Sequence, residues 1–272
     1  PDALSEDLRA YSEKYLARER ERFLQLKEYF GKEHVPNQRK YLAKVPITPG
    51  ILKEMYHHSV PEDISEVNAI VSIQKKVEGL NAHHETVVAG YAEDHNPDLE
   101  LYRELFEKLV IQSSRQDATK EELLRIQPSR SLRRIVELAD TDTELREELA
   151  DFIESAVAYS NETGEILDLA GTDNVAFLKK EGKWSYELID ALYPSGNVTM
   201  SRVAEALESV VKEDYDEADE NALSNGLNYH RTINGLATLL DLQAKINLHS
   251  NQTPLADTVL EILSKRASRI IS

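Results

Sequence analysis

Strand-like alternation is scarce in this chain and unevenly placed. "RKYLAKVPIT" (39–48) and "EVNAIVSIQKKV" (66–77) lie towards one end, "NVAFLKK" and "WSYELID" (174–190) far along it. Most of the remaining sequence carries the helical period. Strands this few cannot build repeated βαβ units, and their presence rules out a uniform helical bundle. The expectation is an α+β fold, mainly helical. At 272 residues the chain is long enough for one large domain or two smaller ones.

The helical segments carry clear boundaries. "LSEDLRAYSEKYLARERERFLQLKEYFG" (4–31) predicts a long first helix, capped by Ser5, with acids in its first turn and its end near Gly31. An apolar stripe runs through Leu8, Tyr15, Phe23, Leu26 and Phe30, and Glu19 falls on it. A carboxylate there is either paired, because an unpaired buried charge is costly, or sits on the helix edge and reaches water. "TDTELREELADFIESAVAYSNETG" (141–164) predicts a second strong helix with Leu145, Leu149, Phe152, Ile153 and Ala156 on one face and Gly164 as its stop. Shorter helical patterns fill 49–58, 83–95, 98–113 and 119–127, with Pro97 and Pro128 as punctuation. From Val198 onward only helices are expected, over 200–215, 218–248 and 254–271.

Charge narrows the function classes. Lys plus Arg total 32 against 49 Asp plus Glu, a formal net charge of −17. Such a field repels nucleic-acid backbones and anionic membranes, though it leaves room for a local basic groove. It favours a basic protein partner instead. Six of the eight residues 213–220 are acidic, a density that demands solvent. With no cysteine, thiol catalysis, disulfides and thiolate metal sites are excluded, which fits a reducing compartment. No apolar run approaches the roughly 20 residues of a membrane helix, so the expectation is a soluble, cytoplasmic protein.

The densest chemistry lies in "EILDLAGTDNVAFLKKEGKWSYELIDALYP" (165–194). Asp168 and Asn174 bracket a loop that enters a strand, Glu181-Gly182 supplies a tight turn, and Asp190 ends the returning strand. Residues 175–180 are expected to pair with 184–189. A hairpin brings its ends together, so Asn174 and Asp190 can meet, with Asp168 beside them. Amide and carboxylate oxygens are hard ligands suited to Mg²⁺ on nucleotide phosphates, and a further carboxylate can orient an attacking hydroxyl or accept its proton. The alternative is a polar loop followed by an ordinary hairpin.

"LDLAGTDNVAFLKKEGKWSYELID" resembles the catalytic loop and metal-binding hairpin of the protein-kinase-like fold, in its divergent bacterial and small-molecule kinase branches. The resemblance implies Asp168 as catalytic base, Asn174 as amide metal ligand and Asp190 as acidic metal ligand, with ATP and Mg²⁺ as cofactors. Ile166 stands where the family has His, Asn174 follows Asp168 by six positions rather than five, and Ala191 and Leu192 replace Phe and Gly. Asp173 offers an alignment shifted by one. Over residues 5–194 the order is also similar. The first helix resembles the regulatory helix of the small lobe, with Glu19 as its lysine-pairing Glu at the cofactor site, and 143–163 resembles the central helix of the large lobe. This implies a reduced small lobe over 1–79 and a mainly helical large lobe over 80–272. The family's Gly-rich phosphate cover and its Lys come before the regulatory helix. Either they precede Pro1 in a longer chain, or the chain is a reduced, inactive relative that serves as an interaction module. Lys44 follows the helix and does not take that role by order.

Other residues invite less. His57-His58, His83-His84, Asp94-His95 and His230 show neither a His-Glu-x-x-His spacing nor a His-Asp dipeptide. Arg130, Arg133 and Arg134 are expected to pair with neighbouring acids, and Trp184 to anchor the hairpin by packing. Neither a Gly-x-x-x-x-Gly-Lys-Ser/Thr nor a Gly-x-Gly-x-x-Gly motif is present.

Overall fold

The computed structural model describes residues 3–46, 65–75, 77, 84–86, 130–169, 174–193, 198–212, 214 and 216–241. The expected helices at 49–58, 98–113, 119–127 and 254–271 lie outside the described residues, as do His57, His58, His83, Asp94, His95, Asp173 and the side chains of Arg130, Arg133 and His230. The fold is α+β, with helices and two small antiparallel sheets. It divides into two compact units, Pro1–Lys27 with Pro36–Lys76, and Glu28–Val35 with Val77–Ser272.

The first unit holds most of helix α1 (Ala3–Phe30) and a two-stranded sheet of β1 (Gln38–Pro46) and β2 (Glu66–Gln74). The helix begins at Ala3, so Ser5 lies inside it rather than capping it. Nothing in its interior breaks it, and it stops before Gly31, whose φ of 82° no helix can accommodate. Its deepest residues are Leu16, Glu19, Arg22, Leu26 and Phe30, whereas Tyr15 and Phe23 are only half-buried. The seam is rotated from the purely apolar one because an ion pair occupies its middle. β1 and β2 run antiparallel from Gln38↔Gln74 to Pro46↔Glu66, with Pro46 at the strand end, where a missing N–H does least harm.

The second unit contains β3 (His84–Thr86), α2 (Arg130–Ala139), α3 (Thr143–Thr163), β4 (Val175–Lys180), β5 (Lys183–Leu188), α4 (Met200–Lys212) and α5 (Glu217–Leu239). In α3, Leu145, Leu149, Phe152, Ile153 and Ala156 are all 0% exposed, as their spacing predicts. Asp142 caps the start by accepting from Leu145 N–H at 3.2 Å, and Gly164, at φ 72°, closes the end with its N–H on Ser160 O at 2.9 Å.

The sheet order is β3-β4-β5, so β4 is central. Val175, Ala176, Phe177 and Leu178 are buried without alternation, which is the signature of a strand covered on both faces. The turn Glu181-Gly182 is present, and φ is positive at both residues, 50° and 84°. That is the two-residue turn whose twist matches the strands it joins. It closes the ladder at Lys180↔Lys183, so β4 pairs with 183–188 rather than 184–189. Two loop residues leave no room for a third.

Three helix expectations change. Residues 84–86 form a strand on β4 and not the start of a helix. The open edge of β4 offers ladder hydrogen bonds that local helical pattern cannot match. The helix expected over 200–215 ends at Lys212. The next ends at Leu239, followed by Asp241 in the left-handed region at φ 57°; the remainder of the expected span, 242–248, lies outside the described residues.

Rings fill the core of this unit. Phe152 on α3 meets Phe177 and Tyr186 edge-on at centroid distances of 5.8 and 5.5 Å, and Phe30 at 6.2 Å. His34 stacks on Tyr186 at 3.9 Å, with Nδ1 2.8 Å from the Tyr186 carbonyl, and Leu188 N–H donates to His34 O. The Tyr186 hydroxyl donates to Asp151, and burial first, then that carboxylate, pushes its pKa up.

Trp184 ties the hairpin to the start of α3. Its Nε1–H donates to Asp142 Oδ2 at 2.7 Å, and Lys179 Nζ reaches the same oxygen at 3.0 Å while lying 5.2 Å from the indole centroid. The hydrogen bond from Trp184, then Lys179, holds the Asp142 pKa down at about 2 against 3.8. A depressed folded pKa gives stability that is present above the unfolded value and lost as pH falls. The melting-temperature difference between wild type and Asp142→Ala is therefore expected to be constant above pH of about 5 and to shrink between about 4 and 2. A difference independent of pH in thermal melts would show that the ionised carboxylate does not hold these contacts.

Candidate functional site

The backbone around Asp168 is set by what flanks it. Beyond Gly164 the chain runs extended, with Ile166, Leu167 and Leu169 at 0% exposed and Asp168 half-exposed between them. Glu165 is buried and accepts from the Tyr159 hydroxyl at 2.9 Å, which anchors the segment to α3. Leu167 bridges Leu192, and Glu165 bridges Thr199. Asp168 N–H donates to Ala191 O at 2.8 Å, so the residue after Asp190 is tied directly to Asp168.

Asn174 joins the three positions. Its amide Nδ2 donates to the Asp168 carbonyl at 3.0 Å, and its own carbonyl accepts from Ile189 N–H at 2.8 Å and from Asp190 N–H at 3.4 Å. Asn174 is 8% exposed, whereas Asp190 is exposed. The loop residue, the strand-entry residue and the strand-exit residue therefore belong to one hydrogen-bonded knot. Donation by Nδ2 leaves the amide oxygen, the hard atom of the pair, as the one that would meet a cation. Together with the Asp190 carboxylate it would be an oxygen-only donor pair, of the kind that suits Mg²⁺ when water and phosphate take the remaining positions. The donor set fits that ion in chemistry. Among the described residues no group of three or more His, Cys, Asp or Glu is gathered as a metal cage.

Glu19 lies in the first unit and does not reach water. It is 5% exposed; Oε1 accepts from Arg22 and Oε2 from Lys40, both at 2.7 Å. Burial works against its charge, but Lys40 and Arg22 together outweigh burial and hold its pKa below the ordinary value. Its cation is thus Lys40 of β1, a residue downstream in sequence. Lys44 is exposed and lies 3.7 Å from Glu66 across the strand pair. Neither Lys40 nor Arg22 stood out among the expected site residues. The spacing Glu19-x-x-Arg22 on a helix is a usable signal for one of them; for Lys40 no local signal exists.

No family model, curated protein or solved structure matches this chain.

Proposed function

We propose that the chain is a divergent or degenerate kinase-like phosphotransferase domain, dependent on ATP and Mg²⁺ if strands upstream of it complete the small lobe. The observation that carries this reading is the knot at 168–191. It unites a carboxylate residue, an amide and a second carboxylate residue through Asn174 Nδ2 on Asp168 O, Asp190 N–H on Asn174 O and Asp168 N–H on Ala191 O. Such an arrangement suits phosphoryl transfer, where catalysis is largely positioning and charge stabilisation. Asp168 would orient an acceptor hydroxyl and take its proton. Asn174 and Asp190 would hold Mg²⁺, which when bound supplies neutralisation of phosphate charge.

Residues 1–272 carry no Gly-x-Gly-x-x-Gly phosphate cover, so on their own they lack that electrostatic support for a nucleotide's phosphates. Calorimetric titration of the full chain with ATP and Mg²⁺ is expected to show weak Mg²⁺ binding and poor nucleotide binding, with Asp190→Asn reducing the former. Tight ATP binding abolished by Asp190→Asn, with phosphoryl transfer lost in Asp168→Asn, would establish a competent kinase instead. Absence of any Mg²⁺ effect would overturn the metal role.

A second reading, an inactive module for a basic protein partner, is favoured by charge segregation. The range of the second unit has thirty-nine Asp and Glu against twenty Lys and Arg, whereas that of the first has ten against twelve. A basic partner retained in salt-sensitive fashion by the full chain, with no effect of Asp190→Asn, would support it.

A further inference from the structure

The first unit carries a surface of opposite character to the chain as a whole. Between α1 and β1 lies a groove of about 500 Å³ whose cations are Arg20, Lys27, Arg39 and Lys40 and whose apolar walls are Phe23, Leu24 and Tyr41; among the described residues no acidic one lines it. Among the described residues, Lys40 alone of these cations has an acidic partner. Arg20 donates to the Lys40 carbonyl at 2.8 Å and Lys27 to the Asn37 side-chain oxygen at 3.0 Å, both neutral acceptors. Arg39 is exposed and makes no ion pair among the described residues. Lys40 pairs with Glu19 at 2.7 Å. Beside these cations Leu24 is 65% and Tyr41 41% exposed. Single exposed apolar residues are ordinary, but adjoining ones in a concave, cationic setting mark an interaction site.

The groove borders the edge of β1 that carries no further strand among the described residues. Lys75 N–H donates to Asn37 O, and strand alternation then turns the backbone groups of 39, 41 and 43 of β1 towards β2 and those of 38, 40 and 42 away from it. Arg20 meets the Lys40 carbonyl on that outer side, where no further strand lies among the described residues. Apart from the Lys40 carbonyl that Arg20 occupies, the outward backbone groups of 38 and 42 pair with no strand among the described residues, and alternating donors and acceptors along an edge suit an added polypeptide strand. Nucleic acid is disfavoured by the overall charge of −17 and because, among the described residues, Tyr41 is the one exposed aromatic lining the groove.

We propose that this groove binds an extended acidic polypeptide segment, which adds along the outer edge of β1, seats an aromatic or aliphatic side chain against Phe23, Leu24 and Tyr41, and places carboxylates on Arg20, Lys27 and Arg39. The inference is independent of the phosphotransfer reading. The test is fluorescence anisotropy of the full chain with a short labelled peptide alternating Asp and Glu with Phe and Leu. The same peptide with Lys for its acids and a single-stranded oligothymidine are the comparison probes. The acidic peptide is expected to bind, and to bind more weakly as salt is raised. Arg39→Glu is expected to weaken it by about tenfold or more, the size of effect seen when a charge is reversed inside an interface. Lys27→Gln and Leu24→Asp are expected to weaken it as well, whereas Lys44→Glu, on the same strand but outside the groove, leaves it unchanged. Circular dichroism melts of each variant separate lost binding from lost folding. Failure of the acidic peptide to bind overturns the proposal. So does equal affinity for the basic peptide, tighter binding of the oligonucleotide, or an Arg39→Glu variant that folds and binds as wild type does.

Discussion

Glu19→Ala is expected to destabilise the first unit by about 3–5 kcal/mol, the loss found when one partner of a buried ion pair is removed. The residue is 5% exposed and is held by Arg22, itself 3% exposed, and by Lys40. Its removal takes away the carboxylate that the Arg22 guanidinium and the Lys40 ammonium both contact in a largely buried setting. The large effect comes from that lost counter-charge, not from any great net worth of the pair. Replacing Glu19, Arg22 and Lys40 together by Met and Leu is therefore expected to be neutral or stabilising, because both desolvation penalties vanish with the charges. Hydrogen exchange of the β1 and β2 amides reads the stability of this unit. A loss below about 1 kcal/mol for Glu19→Ala would mean that water reaches the cations. The sign with pH is also set. The folded pKa of Glu19 is depressed below 4.5, so its contribution is present above the unfolded value and lost as pH falls through the folded one.

Phe152→Ala is expected to cost the second unit about 3–5 kcal/mol, from lost transfer free energy and the cavity left behind. Phe152 is 0% exposed and touches rings from the end of α1, β4 and β5: Phe30, Phe177 and Tyr186. Neighbours belonging to separate elements, one of them a sheet strand buried on both faces, cannot collapse together into the void. Phe152→Leu keeps most of the volume and is expected to cost less than half as much. Urea denaturation followed by the fluorescence of Trp184, the single tryptophan, reports on this unit directly. A loss under about 1 kcal/mol for the Ala variant would show that the ring cluster repacks.

The proposed site and the groove were legible to different degrees. Asp168, Asn174 and Asp190 stand out because the chemistry they suggest depends on residue type and order, which a chain displays directly. Their joining through Asn174 Nδ2 and the carbonyls of Asp168 and Ala191 depends on the hairpin's return, which brings Leu192 back against Leu167. The groove was hidden for the opposite reason. Net charge averages over the whole chain, and twelve cations against ten acids in one range vanish inside a total of −17.

Sequence alone determined the elements whose stabilising contacts are local. Helix α3 was readable with its buried face because Leu145 to Ala156 recur at the helical spacing and Gly164 stops the helix within the same few residues. The hairpin was readable because Glu181-Gly182 can adopt positive φ and flanks two β-prone runs. Tertiary structure decided whatever needed a partner far along the chain. Residues 84–86 become a strand because β4, some ninety positions later, offers them an edge. Glu19 is buried rather than solvated because Lys40 of β1 arrives to neutralise it. In each case the deciding free energy, a ladder of hydrogen bonds or a counter-ion, comes from residues that no window along the sequence contains.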